Sequence, residues 1–200
     1  NRVTATLLVE RAQDLNMAPP HMSSHTLPLL EEADDGGRFG KESFLRALVV
    51  QLANSVEEAH GSLAAQRAVA QVGTDVGGQM EAAYRAAERI SGKLTPEQIA
   101  DCYVRLKAAI GGDFYVIELD EDHVVLGNRA CPFGEVVRRS PSLCRMTSSV
   151  FGGIAARNAD GATVLLEERI ALGDPECRVV VKFGDTRSDG ALGHVYPAAK

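Results

Sequence analysis

The chain lacks the features that most simply assign a protein to a class. No apolar run approaches the roughly 20 residues that a helix needs to cross a bilayer, and no charged, apolar and small-residue series resembles a secretory signal. There is no basic block beyond Arg138-Arg139, and 21 Lys and Arg stand against 27 Asp and Glu for a net charge of −6. That balance leaves no electrostatic footprint for nucleic acid, so a role in gene regulation would need another chain or a domain outside this segment to touch DNA. Catalytic signatures are also missing: no Gly-x-Ser-x-Gly arrangement occurs, and His60 and His123 stand isolated. None of the four cysteines forms a Cys-x-x-Cys chelate, the element that makes zinc motifs specific. Four cysteines without an export signal predict a cytoplasmic chain with reduced thiols rather than a disulfide framework.

What is present describes an ordinary globular protein, with 45% hydrophobic and 24% charged residues. At 200 residues it can hold one well-buried domain and an extra arm. Residues 1–40 read as that arm or linker, broken at Met17-Ala18-Pro19-Pro20, because proline has no backbone donor and forces extended chain. His21 and His25 fall within it and read as a solvated pair. Residues 41–184 read as the folded domain, and residues 185–200 as a polar, Gly-rich tail that frays.

From Lys41 the apolar period is helical. Leu45, Leu48, Val49, Leu52 and Val56 form one stripe over about Glu42 to His60. A second helix is expected from Ala65 to Val76, stopped at Gly77-Gly78, and a third around Met80 to Ala87. Thr95-Pro96-Glu97-Gln98 announces a fourth, with a capping residue, a proline at the first helical position and the glutamine of a capping box. It presents Ile99, Cys102, Tyr103, Leu106 and Ile110 inward. Beyond Gly112 the period becomes that of strands. Phe114–Leu119 and Val124–Leu126 form a hairpin, Ser140-Pro141 opens a helix carrying Thr147, Phe151 and Ile154, and two further strands follow. These are Val164 to Leu172, alternating, and Cys177 to Phe183. The expected class is α+β, with N-terminal helices packed on an antiparallel sheet of hairpin–helix–hairpin order.

Three cysteines stand out against this frame. Cys131 precedes Pro132 at a strand-to-loop exit, Cys144 falls in the first turn of its helix, where the helix dipole favours thiolate, and Cys177 opens a strand. Hairpin–helix–hairpin connectivity can bring all three to one end of the sheet, with sulfurs about 4 Å apart around a single metal. Soft thiolates suit zinc or an iron–sulfur cluster. Plain core packing and thiol redox chemistry are the other readings. Cys102, on an apolar helical stripe, reads as core. Glu168 interrupts the stripe Val164, Leu166, Ile170, Leu172 and is a candidate fourth ligand. A regular hairpin would hold it roughly 13 Å along the strand from Cys177, so it reaches the site only through an irregular turn or register. His123 is the other candidate. Small residues on the helix faces, among them Ala65, Gly73, Gly77 and Ala83, allow either tight packing or an apolar pocket. In the second case Tyr84, Tyr103, Tyr115 and Phe151 would line it.

The run CPFGEVVRRSPSLC, followed by VFGGIA and GDPEC, resembles the methanogen output domain family. It is also similar to the effector half of Suf-operon iron–sulfur repressors and to 4-vinyl-reductase-type ligand-binding domains. That resemblance spans roughly Phe44 to Phe183. It implies a sensory role, a metal or cluster held by Cys131, Cys144 and Cys177, and a phenol-, hydrocarbon- or tetrapyrrole-like ligand. This chain has Arg169 or Ile170 where ligand-binding relatives carry a further cysteine, and Asn158 where the repressors do. The expected function is a non-enzymatic sensory or regulatory module, homodimeric through its first helix and signalling to a partner protein or an output domain absent here. The reading from another class is an enzyme with a thiolate nucleophile or an open three-ligand zinc.

Overall fold

The computed structural model describes residues 40–184 and 193–198. The arm expected at residues 1–40 therefore lies outside the described residues apart from Gly40, which precedes the first helix. The elements are α1 (Lys41–His60), α2 (Ser62–Glu88), α3 (Pro96–Ala108), β1 (Phe114–Leu119), β2 (His123–Asn128), α4 (Cys144–Asn158), β3 (Gly161–Glu168), β4 (Cys177–Phe183) and β5 (His194–Pro197). Short 3-10 turns occupy Gly134–Arg139, Pro141–Leu143 and Ile170–Leu172. The α+β class and the hairpin–helix–hairpin order are those expected from the pattern.

The sheet order is β1-β2-β4-β3-β5. Both β2 and β3 pair antiparallel with β4, so they point the same way, and α4 carries the chain back between them. α3 and α4 pack on the sheet, α2 packs on α4, and α1 packs on α2. The start of α3 follows its sequence signature: the Thr95 hydroxyl accepts from the Gln98 backbone N–H, and the Gln98 side chain accepts from the Thr95 N–H. At the centre, Tyr103 and Phe151 stack with ring centroids 4.1 Å apart, and Phe114 meets Phe151 edge-on at 5.5 Å. The buried Tyr103 hydroxyl donates to the Phe151 carbonyl at 2.7 Å, which ties α3 to α4.

Four details depart from the sequence reading. The second and third expected helices are one continuous helix of 27 residues. A Cβ on Gly73 would lie 2.9 Å from the Met146 carbonyl oxygen, and one on Gly77 would lie 3.1 Å from Val150 Cα. These glycines are thus the surface against which α4 packs, and contact outweighs their cost of about 1 kcal/mol each in helix propensity. Second, β3 stops at Glu168 rather than running on to Leu172. Its register shifts between Leu166 and Glu168, and Ile170 turns inward within a 3-10 turn while Leu172 is 55% exposed. Third, Ile110 lies past the end of α3 and is 47% exposed. Fourth, within the expected tail His194–Pro197 adds a fifth strand to the edge of β3. There Tyr196 lies against Gly152, its hydroxyl 2.8 Å from Ser148 Oγ.

One charged group is held inside the helical layer. Glu81, 4% exposed, accepts from Arg85, Arg157 and Asn158 at 2.7–2.9 Å. Burial alone would raise its pKa, but the hydrogen bonds from Asn158, Arg157 and Arg85 outweigh that and hold it below the usual carboxylate value.

Two measurements check these assignments. Gly73→Ala should destabilise the fold by about 1–3 kcal/mol, since backbone on α4 would have to move. Gly78→Ala, with nothing within 4 Å of the new methyl, should instead stabilise it by about 0.5–1 kcal/mol; urea denaturation of the pair reads both signs. Glu81→Gln should lower stability at neutral pH by about 1–3 kcal/mol, discounted because both arginines are partly exposed. Because the folded-state pKa of Glu81 is depressed, its contribution is complete above the unfolded carboxylate range and is lost as pH falls through the folded value. The variant and the parent should therefore converge in stability in acid.

Candidate functional site

The topology decides where the cysteines go. Cys177, the first residue of β4, pairs with Asn128, the last of β2, and Arg178 pairs with Glu168, the last of β3. All three strand ends thus meet at one end of the sheet. The chain leaves that end through Cys131, and α4 begins there with Cys144. Cys131, Cys144 and Cys177 line one cavity of about 30 Å³, together with Glu168, Asn128, Thr147, Arg169 and an apolar set that includes Phe114, Leu143 and Val179. Glu168 reaches this rim because β3 ends there and the chain passes to β4 through the 3-10 turn Ile170–Leu172 instead of a tight hairpin at Gly173–Pro175. That wider turn, one of the irregularities the sequence reading required, leaves Glu168 across from Arg178, the neighbour of Cys177.

All four cysteines are free thiols. Among the described residues the one trio of potential ligand atoms lying within 4.8 Å of one another is Glu118, Asp120 and His123, at the β1–β2 turn. The three sulfurs of the cavity are therefore spread more widely than the expected 4 Å. His123 belongs to that turn, where its Nδ1 lies 3.0 Å from Asp120 Oδ1, and it is not a wall of the cysteine cavity.

The environment of each thiol differs. Cys177 Sγ accepts from the Ile170 backbone N–H at 3.5 Å and faces the Asn128 amide nitrogen at 3.8 Å. Burial pushes the Cys131 thiol up, partly offset by a backbone hydrogen bond from Phe133. Burial also pushes Cys144 up, to about 11, with the neighbouring Cys131 and Cys177 adding to it and Arg169 and Lys107 opposing. Burial thus overrides the acidifying effect expected of a helix start. Cys102 is fully buried in the core beneath α3, and burial raises it to about 12.

The aromatic candidates do not share that cavity. Tyr103 and Phe151 form the central stack described above. Tyr84 is buried, and its hydroxyl donates to Asp101 at 2.8 Å. Tyr115 lies over Gly127 across the strand pair, with its hydroxyl on Glu176 at 2.6 Å and the Arg129 guanidinium 3.9 Å from its ring centroid. Gly73 and Gly77 of α2 serve close packing with α4 instead.

Three polar groups at the site escaped the sequence reading. Asn128 follows an apolar strand run, Thr147 was read only as part of a helix face, and Lys107 stands one turn after Tyr103 on α3. The i, i+4 relation of Tyr103 and Lys107 was the available signal.

A match to the methanogen output domain 1 family covers residues 44–182. The chain belongs to that family. Members of other groups share the fold. The phenol-responsive sensory domain of the transcription activator PoxR, crystallised with phenol, superposes with a TM-score of 0.56 at 14% identity, covering 69% of this chain and 74% of that one. Trafficking protein particle complex subunit 3 from Naegleria fowleri, covalently bound to palmitic acid, superposes at 0.51 and 13% identity, covering 72% and 95%. No curated protein matches this output-domain chain. Among its described residues no helix is long and apolar enough to cross a membrane.

Alkylation of the native protein should follow these environments. Cys102 should stay unmodified until the domain unfolds. The rate at Cys144 should climb about tenfold per pH unit up to about pH 11, since only thiolate reacts. Peptide mapping after timed iodoacetamide exposure reads both.

Proposed function

We propose that this output domain is a sensory module whose regulatory centre is a single zinc ion held by Cys131, Cys144 and Cys177. The observation that carries the reading is that these thiols, drawn from three separate elements, face one cavity of about 30 Å³. That volume is about two water-sized spheres. It suits one metal ion, whereas an iron–sulfur cluster brings several irons and sulfides of its own. The donor chemistry fits zinc, and N–H groups aimed at Cys177 are the outer contacts that orient a thiolate ligand. Ligation would draw the sulfurs inward from their present spread. Among the described residues the walls of the cavity include no histidine, so a thiolate nucleophile there would have no imidazole base from them, which favours a regulatory over a hydrolytic role.

The domain is further proposed to act as a homodimer that passes its state to a signalling partner or a linked output domain. On α1 and α2, Phe44, Leu45, Leu48, Leu52, Leu63 and Val72 are between 42% and 63% exposed. Beside them runs a groove of about 210 Å³ lined by Leu52, Val56, Ala68, Val69 and other apolar residues. Contiguous apolar surface on this scale marks an interaction face, and closed two-fold pairs are the commonest solution. The phenol bound by the PoxR domain makes small apolar molecules the ligand class to screen. Such a guest would have to part the Tyr103–Phe151 region, because ligand pockets usually measure about 300 Å³ or more.

Protein purified without oxygen should contain one zinc per chain and show no visible absorption. Cys131→Ser, Cys144→Ser and Cys177→Ser should each lose the metal, and Cys102→Ser should keep it. Zinc at a hundredfold excess over its Kd should stabilise the fold by about 2.7 kcal/mol. Iron with sulfide and a broad visible band would replace zinc by a cluster, and neither metal would leave only thiols. For the dimer, light scattering should give twice the chain mass, and Leu52→Glu should halve it.

A further inference from the structure

Three polar side chains of α4 converge on one oxygen. Ser148 and Ser149 are fully buried, and their Oγ atoms lie 2.8 and 3.3 Å from the Tyr196 hydroxyl. Arg145 Nη1 donates to that hydroxyl at 3.1 Å and to Ser148 Oγ at 3.3 Å. One turn beyond Ser148, Gly152 makes room for the tyrosine ring, because a Cβ there would overlap it. Glycine inside a helix is unfavourable relative to alanine, and the three atoms nearest to the missing Cβ all belong to Tyr196. The surface of α4 is thus a socket, shaped for a ring and hydrogen-bonded for its hydroxyl.

The occupant of that socket is tied to the fold by little else. Tyr196 belongs to β5, four residues at the edge of the sheet that pair with β3. Its neighbour Val195 is 47% exposed. The central core closes around Tyr103, Phe114 and Phe151, and Tyr196 only packs against it from outside, half-buried. Short edge elements with few buried contacts open locally, well before the fold as a whole. An opening of β5 leaves two buried serine hydroxyls and a guanidinium short of a partner, which is costly until another hydroxyl arrives.

We propose that this socket is a binding site for small phenols and that Tyr196 is its built-in competitor. A phenol entering the socket displaces the tyrosine and releases β5 from β3, and that release is the change of state. The ligand class follows from the walls: a flat ring fits over Gly152, and a hydroxyl that both donates and accepts answers Ser148, Ser149 and Arg145. Binding is non-covalent and leaves the Tyr103–Phe151 stack closed, so the inference goes beyond a guest that parts that stack. None of the socket residues is a wall of the cysteine cavity. The inference and the zinc reading therefore stand or fall separately.

The probe is p-cresol, the tyrosine side chain as a free molecule, titrated by calorimetry. Tyr196→Ala should stay folded and bind one p-cresol. The parent should bind it about tenfold more weakly or worse, because its socket is free only in the fraction of molecules with β5 undocked. Toluene, without the hydroxyl, should bind Tyr196→Ala about 5–150-fold more weakly than p-cresol, the range for leaving buried polar groups unpaired. Adding Gly152→Ala to Tyr196→Ala should abolish binding while the melting temperature holds or rises, since the methyl fills the ring space and favours the helix. In the parent, saturating p-cresol should speed amide exchange at His194, Val195 and Tyr196. A folded Tyr196→Ala protein that ignores p-cresol would overturn the inference. So would equal affinity in parent and variant, or binding that survives Gly152→Ala, since the ligand would then lie elsewhere. An unfolded Tyr196→Ala protein would make the tyrosine part of the core and overturn it too, as would unchanged exchange in β5.

Discussion

The position of α4 is the constraint on which the rest of the structure depends. The helix is wedged between the sheet and α2. On the sheet side, Phe151 stacks on Tyr103, meets Phe114 edge-on and offers its carbonyl to the Tyr103 hydroxyl. On the α2 side, Gly73 and Gly77 let the two helix backbones approach. A helix held on both faces cannot slide, so its first residue, Cys144, is delivered to one place. That place is the end of the sheet where β2 and β3 finish and β4 begins, since β2 and β3 run alike on either side of β4. The convergence of three cysteines from distant parts of the chain is thus a consequence of helix packing and strand direction.

Two buried charges in the helical layer are handled in opposite ways. Glu81 is surrounded by two guanidiniums and an amide, and its cluster joins α2 to the C-terminal half of α4. That arrangement answers the carboxylate from three sides and serves the fold, although Arg157 Nη2 is buried without a partner. Lys107 is met by one hydroxyl and two aromatic faces, and burial pulls its pKa down to about 8. Buried charge of the first kind fixes helix positions. Buried charge of the second kind shows instead in a pKa moved toward neutrality.

Much of the fold was legible because its signals are local. The stripe Leu45, Leu48, Val49, Leu52 marks α1, the Thr95–Gln98 box marks the start of α3, and alternation marks β1, β2 and β4. Errors arose where a local rule met a tertiary contact. Gly73 and Gly77 read as helix breakers because propensity carries no knowledge of α4. Val164, Leu166, Ile170 and Leu172 read as one strand because a register shift leaves no mark on hydrophobic period. His194–Pro197 read as tail because four residues can be recruited by the free edge of β3 without any pattern of their own.

By itself the sequence determined the class and the family likeness and singled out the three cysteines that line one cavity, since these rest on periodicity, capping chemistry and short motifs. It also separated Cys102, by its place on a helical stripe, from the other three. Only the tertiary structure decided the rest. It decided that Glu168 joins the rim, because β3 ends there and a 3-10 turn rather than a tight hairpin leads on to β4. It decided that Tyr84, Tyr103, Tyr115 and Phe151 do not share a cavity, because Tyr103 and Phe151 stack in the core while the hydroxyls of Tyr84 and Tyr115 are held by Asp101 and Glu176. It placed Lys107 behind the thiols, because α3 docks on β1 and turns that side of the helix inward. Charge compensation depends on distances between residues far apart in the chain, and no local pattern encodes those distances.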